Sequence, residues 1–312
     1  MPARGVRVAF LGNDRWSVPP LRALAASAHR VELVVTAAPK PAGRGNEPRR
    51  TPVAGAAERL ALPLAEVASV RTVSGLERLR AASPDVLAVV AYGEILPPEV
   101  LQLPAIAPVN VHFSLLPRLR GASPVQAALL LGLEETGVTT MIMEPGLDTG
   151  PVVLQRREPI RPSDDAGSLG DRLARLGAEL LVESIDRLAA GSVVPTPQDH
   201  VLATYAPRLG PRDRALDWTQ DARALVNRCR ALSPEPAATT TFRGEDLKLF
   251  AAEAVPASGE PGTIVEVAKA GFVVAAGGGG VRPLELAPAG RRRMSGRDFV
   301  NGFRPEVGER LG

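Results

Sequence analysis

The feature that most restricts the fold is the unbroken apolar run Val86-Leu-Ala-Val-Val-Ala-Tyr92. A strand apolar on both faces belongs in a parallel sheet with helices on each side. The neighbouring patterns agree. Arg7-Val-Ala-Phe-Leu11, ending at Gly12, reads as a buried first strand. Leu21, Leu24 and Ala25 follow at helical spacing, and Val31 to Val35 reads as a second strand. This is a βαβ opening. Thr51-Pro52 starts a helix, Leu62-Pro-Leu64 reads as a short strand, and Leu76 to Ala82 as a helix stopped by Ser83-Pro84. Strands are then expected ending in Asn110-Val-His112, at Gly137 to Met143 and at Val152 to Gln155. Asp164 or Asp165 caps a long helix with Leu169, Leu173, Leu176, Leu180, Ile185 and Leu188 on its apolar side, stopped at Gly191.

The rest of the chain changes character. Val193 to Pro207 carries Pro195 and Pro197 and no helical period, so it reads as a linker. A helix beginning at Asp217 or Thr219 places Ala222, Leu225, Val226, Cys229 and Leu232 on one face. Short strands follow at Ala238–Phe242, Leu247–Ala251, Gly262–Val267, Gly271–Ala275 and Val281–Leu286. Five short strands with Gly/Pro turns suggest a small barrel of the OB type. The expected division is a domain over 1–190, a linker over 191–206 and a second domain over 207–312, which the length of 312 residues accommodates.

Charge and composition narrow the function. The whole net charge of +3 lies from Arg208 onward, where sixteen Lys+Arg face thirteen Asp+Glu. That is a weak sign of a polyanionic partner. Cys229 is the sole cysteine, so no intrachain disulfide forms and a reducing cytoplasm fits. Three scattered histidines offer no metal-ligand cluster, and no apolar run reaches the roughly 18 residues of a membrane span. Gly12 is followed by Asn13-Asp-Arg15, so neither GxGxxG nor GxxxxGK[ST] is present, and dinucleotide and P-loop sites are rejected.

The chemistry-bearing stretch is Val109-Asn110-Val-His112-Phe113-Ser114-Leu115-Leu116-Pro117-Arg-Leu119-Arg-Gly121. Asn110 and His112 share one face of a strand. An amide and an imidazole there can polarise a carbonyl and move a proton. Taken alone, Asn-x-His also fits a hydrogen-bonded edge pair. Asp148, in Pro145-Gly-Leu-Asp-Thr-Gly150, is either a turn-forming aspartate or a carboxylate aimed at another strand end. Tyr92 is either a core aromatic or a ligand contact at the carboxyl end of the central strand, where open α/β sheets bind ligands. Ala37 to Pro52 is polar, with four prolines and the cations Lys40, Arg44, Arg49 and Arg50, so it is a mobile surface loop or a basic flap. Ser114, His112 and Asp148 do not make a hydrolase triad, since no Gly-x-Ser-x-Gly elbow presents the serine.

Asn-x-His-x-Ser-Leu-Leu-Pro followed by Gly-Leu-Asp-Thr-Gly resembles the active-site pattern of the folate-dependent formyltransferases. The likeness extends through Pro41-Ala-Gly-Arg-Gly45, Val89 to Pro97, Glu135-Thr-Gly-Val-Thr139, Ala203-Thr-Tyr-Ala206, Leu216-Asp-Trp218 and Ala287-Pro-Ala-Gly290. The resemblance implies a Rossmann-like parallel-sheet catalytic domain followed by an OB-fold-like barrel. It implies formyl transfer from 10-formyltetrahydrofolate, with Asn110, His112 and Asp148 catalytic and no metal. Ser114, Leu115, Leu116, Pro117, Tyr92, Gly93 and Ile95 would line the folate site. The Ala-Gly-Arg-Gly flap and the basic second domain point to the branch whose acceptor is the α-amine of initiator methionyl-tRNA, in translation initiation. Arg44 and the run Arg291-Arg292-Arg293 would then contact tRNA. A monomeric cytoplasmic enzyme is expected. An amino-sugar nucleotide N-formyltransferase is the alternative within the family, and a catalytically idle RNA-binding module the alternative outside it. Phe113 and Leu119 stand where the family often has Gly and an aromatic, and Glu235 lies between prolines where an aromatic is common.

Overall fold

A computed structural model describes residues 5–42 and 47–312. The chain folds as two units. One comprises Met1–Pro124, Glu135–Pro159 and Gly170–Pro207; the other comprises Val125–Glu134, Ile160–Leu169 and Arg208–Gly312.

The first unit is built on β1 (Arg7–Gly12), α1 (Val18–Ala25) and β2 (Arg30–Ala37), the expected opening. An antiparallel pair, β3 (Lys40–Ala42) with β4 (Glu47–Arg49), follows where the sequence suggested a mobile surface loop or a basic flap. Then come α2 (Pro52–Arg59), β5 (Leu64–Val67), α3 (Val73–Ala82), β6 (Val86–Val90), the short α4 (Pro98–Leu101) and β7 (Ala107–His112). After α5 (Pro124–Leu130), which falls mostly in the second unit, β8 (Glu135–Ile142) and β9 (Val152–Pro159) complete the sheet, and α6 (Ala166–Ala189) follows.

The seven strands run in the order β5-β2-β1-β6-β7-β8-β9. The pairs from β5 to β7 are parallel, and β8 and β9 are added antiparallel. All five residues of β6 are buried, as its double-sided apolar pattern requires. Leu62 and Pro63 precede the strand expected there, because β5 aligns with β2 through Leu64–Val67. Asn13 ties the carboxyl ends of three strands together. Its Oδ1 accepts from the Ala37 N–H at 2.7 Å and from the Thr36 hydroxyl at 2.9 Å, and its amide donates to the Tyr92 carbonyl. The residue after Gly12 is thus a structural clasp.

Capping follows the sequence. The Thr51 hydroxyl accepts from Ala54 N–H at the start of α2. Asp165 and Ser168 form a reciprocal box at the start of α6: Ser168 N–H donates to the Asp165 carboxylate at 2.7 Å and Asp165 N–H to the Ser168 hydroxyl at 3.1 Å. Gly191 ends that helix with φ of 61°.

In the second unit α7 (Ala222–Leu232) is capped by Asp221, later than the expected Asp217 or Thr219. Asp217 instead makes a local turn with Thr219, accepting both its N–H and its hydroxyl. The strands are β10 (Ala238–Phe242), β11 (Glu245–Val255), β12 (Ile264–Ala268), β13 (Gly271–Ala275) and β14 (Gly280–Pro288), joined by β15 (Met294–Ser295). They pair antiparallel in the order β10-β11-β14-β13-β12, with β15 on β14. Register breaks at Leu249/Ala251 and Ala251/Ala252 curl the long β11–β14 ladder. Arg310 bridges Thr263 at the β12 edge and Leu311 bridges Phe242 at the β10 edge. This segment closes the sheet into a barrel and leaves neither edge open there.

The barrel core holds Trp218, Cys229, Phe242, Phe272 and Phe299. The Trp218 indole donates to the Thr240 hydroxyl at 3.0 Å. Cys229 is fully buried, and burial pushes its thiol up to about 12, which makes it a packing residue. Phe299 comes from α8 (Gly296–Phe303), a helix the sequence reading did not find, and lies 5.3 Å from Phe242 and 5.2 Å from Phe272 between ring centroids. Its signal was present: Ser295 caps the Asp298 N–H at 3.1 Å, in a Ser-x-x-Asp pattern.

Candidate active site

The site forms where β7 ends at the carboxyl edge of the parallel strands. Asn110 is half-buried in β7, and its amide has no hydrogen-bond partner among the described residues. His112 lies two residues on, on the same face, and is only 5% exposed. Its Nε2 lies 2.9 Å from the Leu119 carbonyl. A carbonyl oxygen only accepts, so Nε2 carries the proton. Nδ1 is left facing Asp148, whose Oδ2 is 3.7 Å away. The two groups are adjacent without a direct hydrogen bond, so the Nδ1 position is open to a third partner.

Two loops create this arrangement. Leu119 has φ of 59°, which turns its carbonyl towards the ring. A left-handed leucine costs roughly 1–2 kcal/mol. Its N–H donates to the Thr204 hydroxyl at 2.9 Å, and Arg120 exchanges backbone hydrogen bonds with Thr204 and Ala206 at 2.8 and 2.7 Å. These bonds hold the strained turn. Gly121 donates its N–H to Asp148 Oδ2 at 2.8 Å. Its φ is 120°, and a Cβ there would meet the Ala206 carbonyl at 2.6 Å, so only glycine fits. Asp148 is left-handed too, with φ of 52°. A Cβ on Gly150 would lie 1.9 Å from the Ile142 carbonyl, so the Asp148 loop is pressed against the end of β8.

The loop Ser114–Pro117 is braced from below. The Thr139 hydroxyl donates to the Ser114 carbonyl at 2.7 Å and accepts from the Leu116 N–H at 3.1 Å. The Gln155 amide donates to the Leu116 carbonyl at 2.7 Å. Ser114 is fully buried and its hydroxyl donates to the Arg118 carbonyl at 2.6 Å, so it shapes the loop. Leu116 is buried, whereas Leu115 and Pro117 are half-exposed. Among the other expected folate contacts, Tyr92 is 5% exposed, packs in the apolar cluster with Leu96 and Val100, and has its phenol pushed up by that burial. Gly93 has φ of 79°, and Ile95 is 80% exposed. An exposed isoleucine after a parallel strand fits a flat apolar ring.

The expected polyanion contacts divide in three. Arg44 lies outside the described residues. Nearby Arg50 is committed to Glu66 and Glu58, at 2.8 and 2.6 Å. In the second unit Arg291 and Arg292 are exposed, with no side-chain partner among the described residues. Arg293 is engaged: it lies 3.6 Å over the Phe250 ring and donates to the Pro234 carbonyl at 2.7 Å.

Several site residues were not found from sequence: the Leu119 carbonyl, the Gly121 N–H, Thr139, Gln155, Arg120 and Gln198. The first two are backbone groups, invisible to motif reading. Gln198 sits in the stretch read as a linker, which runs along the first unit instead: Thr196 bridges Val152, and Tyr205 bridges Arg120.

Among the described residues no helix is long and apolar enough to cross a membrane. The family model described as formyl transferase matches residues 6–185, and that of the formyl transferase C-terminal domain matches 208–304. A methionyl-tRNA formyltransferase from Thermus thermophilus is 44% identical over 307 residues, covering 98% of this chain and 99% of that protein. HypX from Aquifex aeolicus shares the fold at a TM-score of 0.68 and 18% identity over 98% of this chain, which spans half the length of HypX. An N-formyltransferase from Helicobacter canadensis, solved with folinic acid and dTDP-3-aminofucose, shares it at 0.66 and 17% identity over 89% of this chain and 98% of its own. With both family domains matched in order and a relative alike from end to end, the chain belongs to the formyl transferase family.

Proposed function

We propose that this protein transfers the formyl group of 10-formyltetrahydrofolate to the α-amine of initiator methionyl-tRNA, as a monomer in the cytoplasm. The observation that carries the chemistry is the His112–Asp148 pair beside the free Asn110 amide, with Nε2 of His112 fixed by Leu119. The acceptor is argued from the 44% identical methionyl-tRNA formyltransferase and from the exposed Arg291 and Arg292. Catalysis belongs to the first domain, read from the sequence as 1–190, and tRNA binding to the second, read as 207–312.

Folate, when bound, supplies a formyl group activated for transfer. Leu115, Pro117, Gly93 and Ile95 hold it at the sheet edge, with Ser114, Leu116 and Tyr92 supporting them from beneath. Asn110 donates to the formyl oxygen as it becomes negative. His112 in its protonated form donates from Nδ1 to the same oxygen, since Nε2 is occupied. Preorganised donors of this kind are typically worth on the order of 10²–10³ in rate each. Asp148, 3.7 Å from Nδ1, balances the imidazolium charge and takes a proton from the attacking amine, directly or through water; the carbon–nitrogen bond to folate then breaks and the departing nitrogen receives a proton. The Gly121 N–H donates to this carboxylate and keeps it aimed at the site.

The test supplies formyl donor with methionyl-tRNA in one arm and a nucleotide-linked amino sugar in another. Formyl-methionyl-tRNA at catalytic rates is the expected product. Formylation of the sugar amine alone would move the chain to the alternative branch, and formylation of neither would refute the reading.

A further inference from the structure

Arg120 is 2% exposed, yet it forms no ion pair among the described residues. Its guanidinium is spent on neutral acceptors. Nε and Nη2 donate to Gln198 Oε1 at 3.1 and 2.6 Å, and Nη2 also donates to Nδ1 of His200 at 3.1 Å. A buried charge is costly without compensation, so the arrangement calls for a role. The fork at Oε1 fixes which way the Gln198 amide faces. Its Nε2 must then point away from Arg120, and it donates to the Asp148 carbonyl at 2.9 Å and the Gly150 carbonyl at 2.7 Å. Those carbonyls flank the turn that presents the Asp148 side chain. Arg120 also immediately precedes Gly121, whose N–H binds the Asp148 carboxylate. One residue pair therefore braces Asp148 from both its backbone and its side chain.

We propose that Arg120 and Gln198 are positioning residues for Asp148, setting the rate of amine deprotonation without touching either substrate. The inference rests on the catalytic reading of Asp148. Misplacement of a catalytic group by about 1 Å can cost 10²-fold in rate. Gln198→Glu keeps shape and can pair with Arg120, but turns a repelling oxygen on both carbonyls. Gln198→Met keeps length, adds no charge and removes both donors.

The full-length enzyme is used, with thermal melting to establish that each variant is folded. Single-turnover formylation is measured with methionyl-tRNA, in wild type and in an Asp148→Asn background. In the wild-type background both Gln198 variants should lose roughly 10–100-fold in the chemical step, with KM for tRNA and folate within about twofold. In the Asp148→Asn background the same changes should have almost no further effect, because the group they position is already disabled. Unchanged single-turnover rates, an equal loss in both backgrounds, or a raised KM at intact rate would each overturn the proposal. Full activity of Asp148→Asn by itself would overturn the underlying catalytic reading instead.

Discussion

The run Arg291-Arg292-Arg293 looks uniform in sequence, and the barrel predicts that its members behave differently. Arg291 and Arg292 are exposed and unpartnered among the described residues, while Arg293 is stacked on Phe250 and bonded to the Pro234 carbonyl. Each phosphate neutralised on a duplex contributes about 0.9 to the slope of log affinity against log salt. Arg291→Ala with Arg292→Ala should therefore flatten the slope for tRNA by up to ~1.8 units. Over a fourfold change in salt, from about 50 to about 200 mM, that slope difference changes the affinity ratio by roughly twelvefold. Thermal stability should be unaltered. Arg293→Ala should leave the slope close to wild type and lose stability. A cation–π contact is worth about 0.5–1 kcal/mol at an exposed site, so Tm should fall by a few degrees for a unit of this size. The assay is Kd for methionyl-tRNA at four or more salt concentrations, paired with melting curves. An unchanged slope in the double variant would remove these arginines from the nucleic-acid surface. A flattened slope in Arg293→Ala would mean that its contacts to Phe250 and Pro234 do not hold it against tRNA phosphate.

Asn110→Ala should lower kcat by about 10²-fold or more with folate affinity retained; kcat close to wild type would remove the amide from the oxygen-binding role. Gly121→Ala should lower both stability and rate, since the added Cβ meets the Ala206 carbonyl and displaces the N–H that holds Asp148; a melt and a single-turnover rate both equal to wild type would count against the brace. His29, buried beside Asp186 with its pKa lowered chiefly by burial, gives a pH test. The unfolded chain protonates it near pH 6.5 and the folded chain only lower, so its contribution is present above that value and fades as pH falls towards the folded pKa. His29→Gln should flatten the decline in Tm between about pH 7 and 5, and an unaltered decline would place the sensitivity elsewhere. Arg44→Ala should weaken use of methionyl-tRNA without changing folate binding or Tm; unchanged tRNA kinetics would exclude the flap.

Much of the fold was legible locally. Period-2 and period-3.6 apolar patterns, caps such as Thr51 and Asp165, and the stop at Gly191 depend on residues a few positions apart, so the chain itself specifies them. The same is true of Asn110 and His112, placed on one face by strand geometry alone. Elements short in sequence were harder. The strand at Leu64–Val67 and the helix at Gly296–Phe303 carry few residues, and their placement rests on partners far along the chain, β2 in one case and the barrel aromatics in the other. The surroundings of the His112–Asp148 pair were not legible from motif alone. The Leu119 carbonyl that fixes the tautomer and the Gly121 N–H that aims Asp148 are main-chain groups with no side-chain signature, and only tertiary contacts give them a role. Likewise Gln198 stands 50 residues from the Asp148 carbonyl it holds. The sequence alone determined which side chains are the candidates for the chemistry, because the proposed reaction requires those residue types. Their distances and protonated atoms were decided by the tertiary structure, because long-range hydrogen bonds through the backbone leave no composition or periodicity to read.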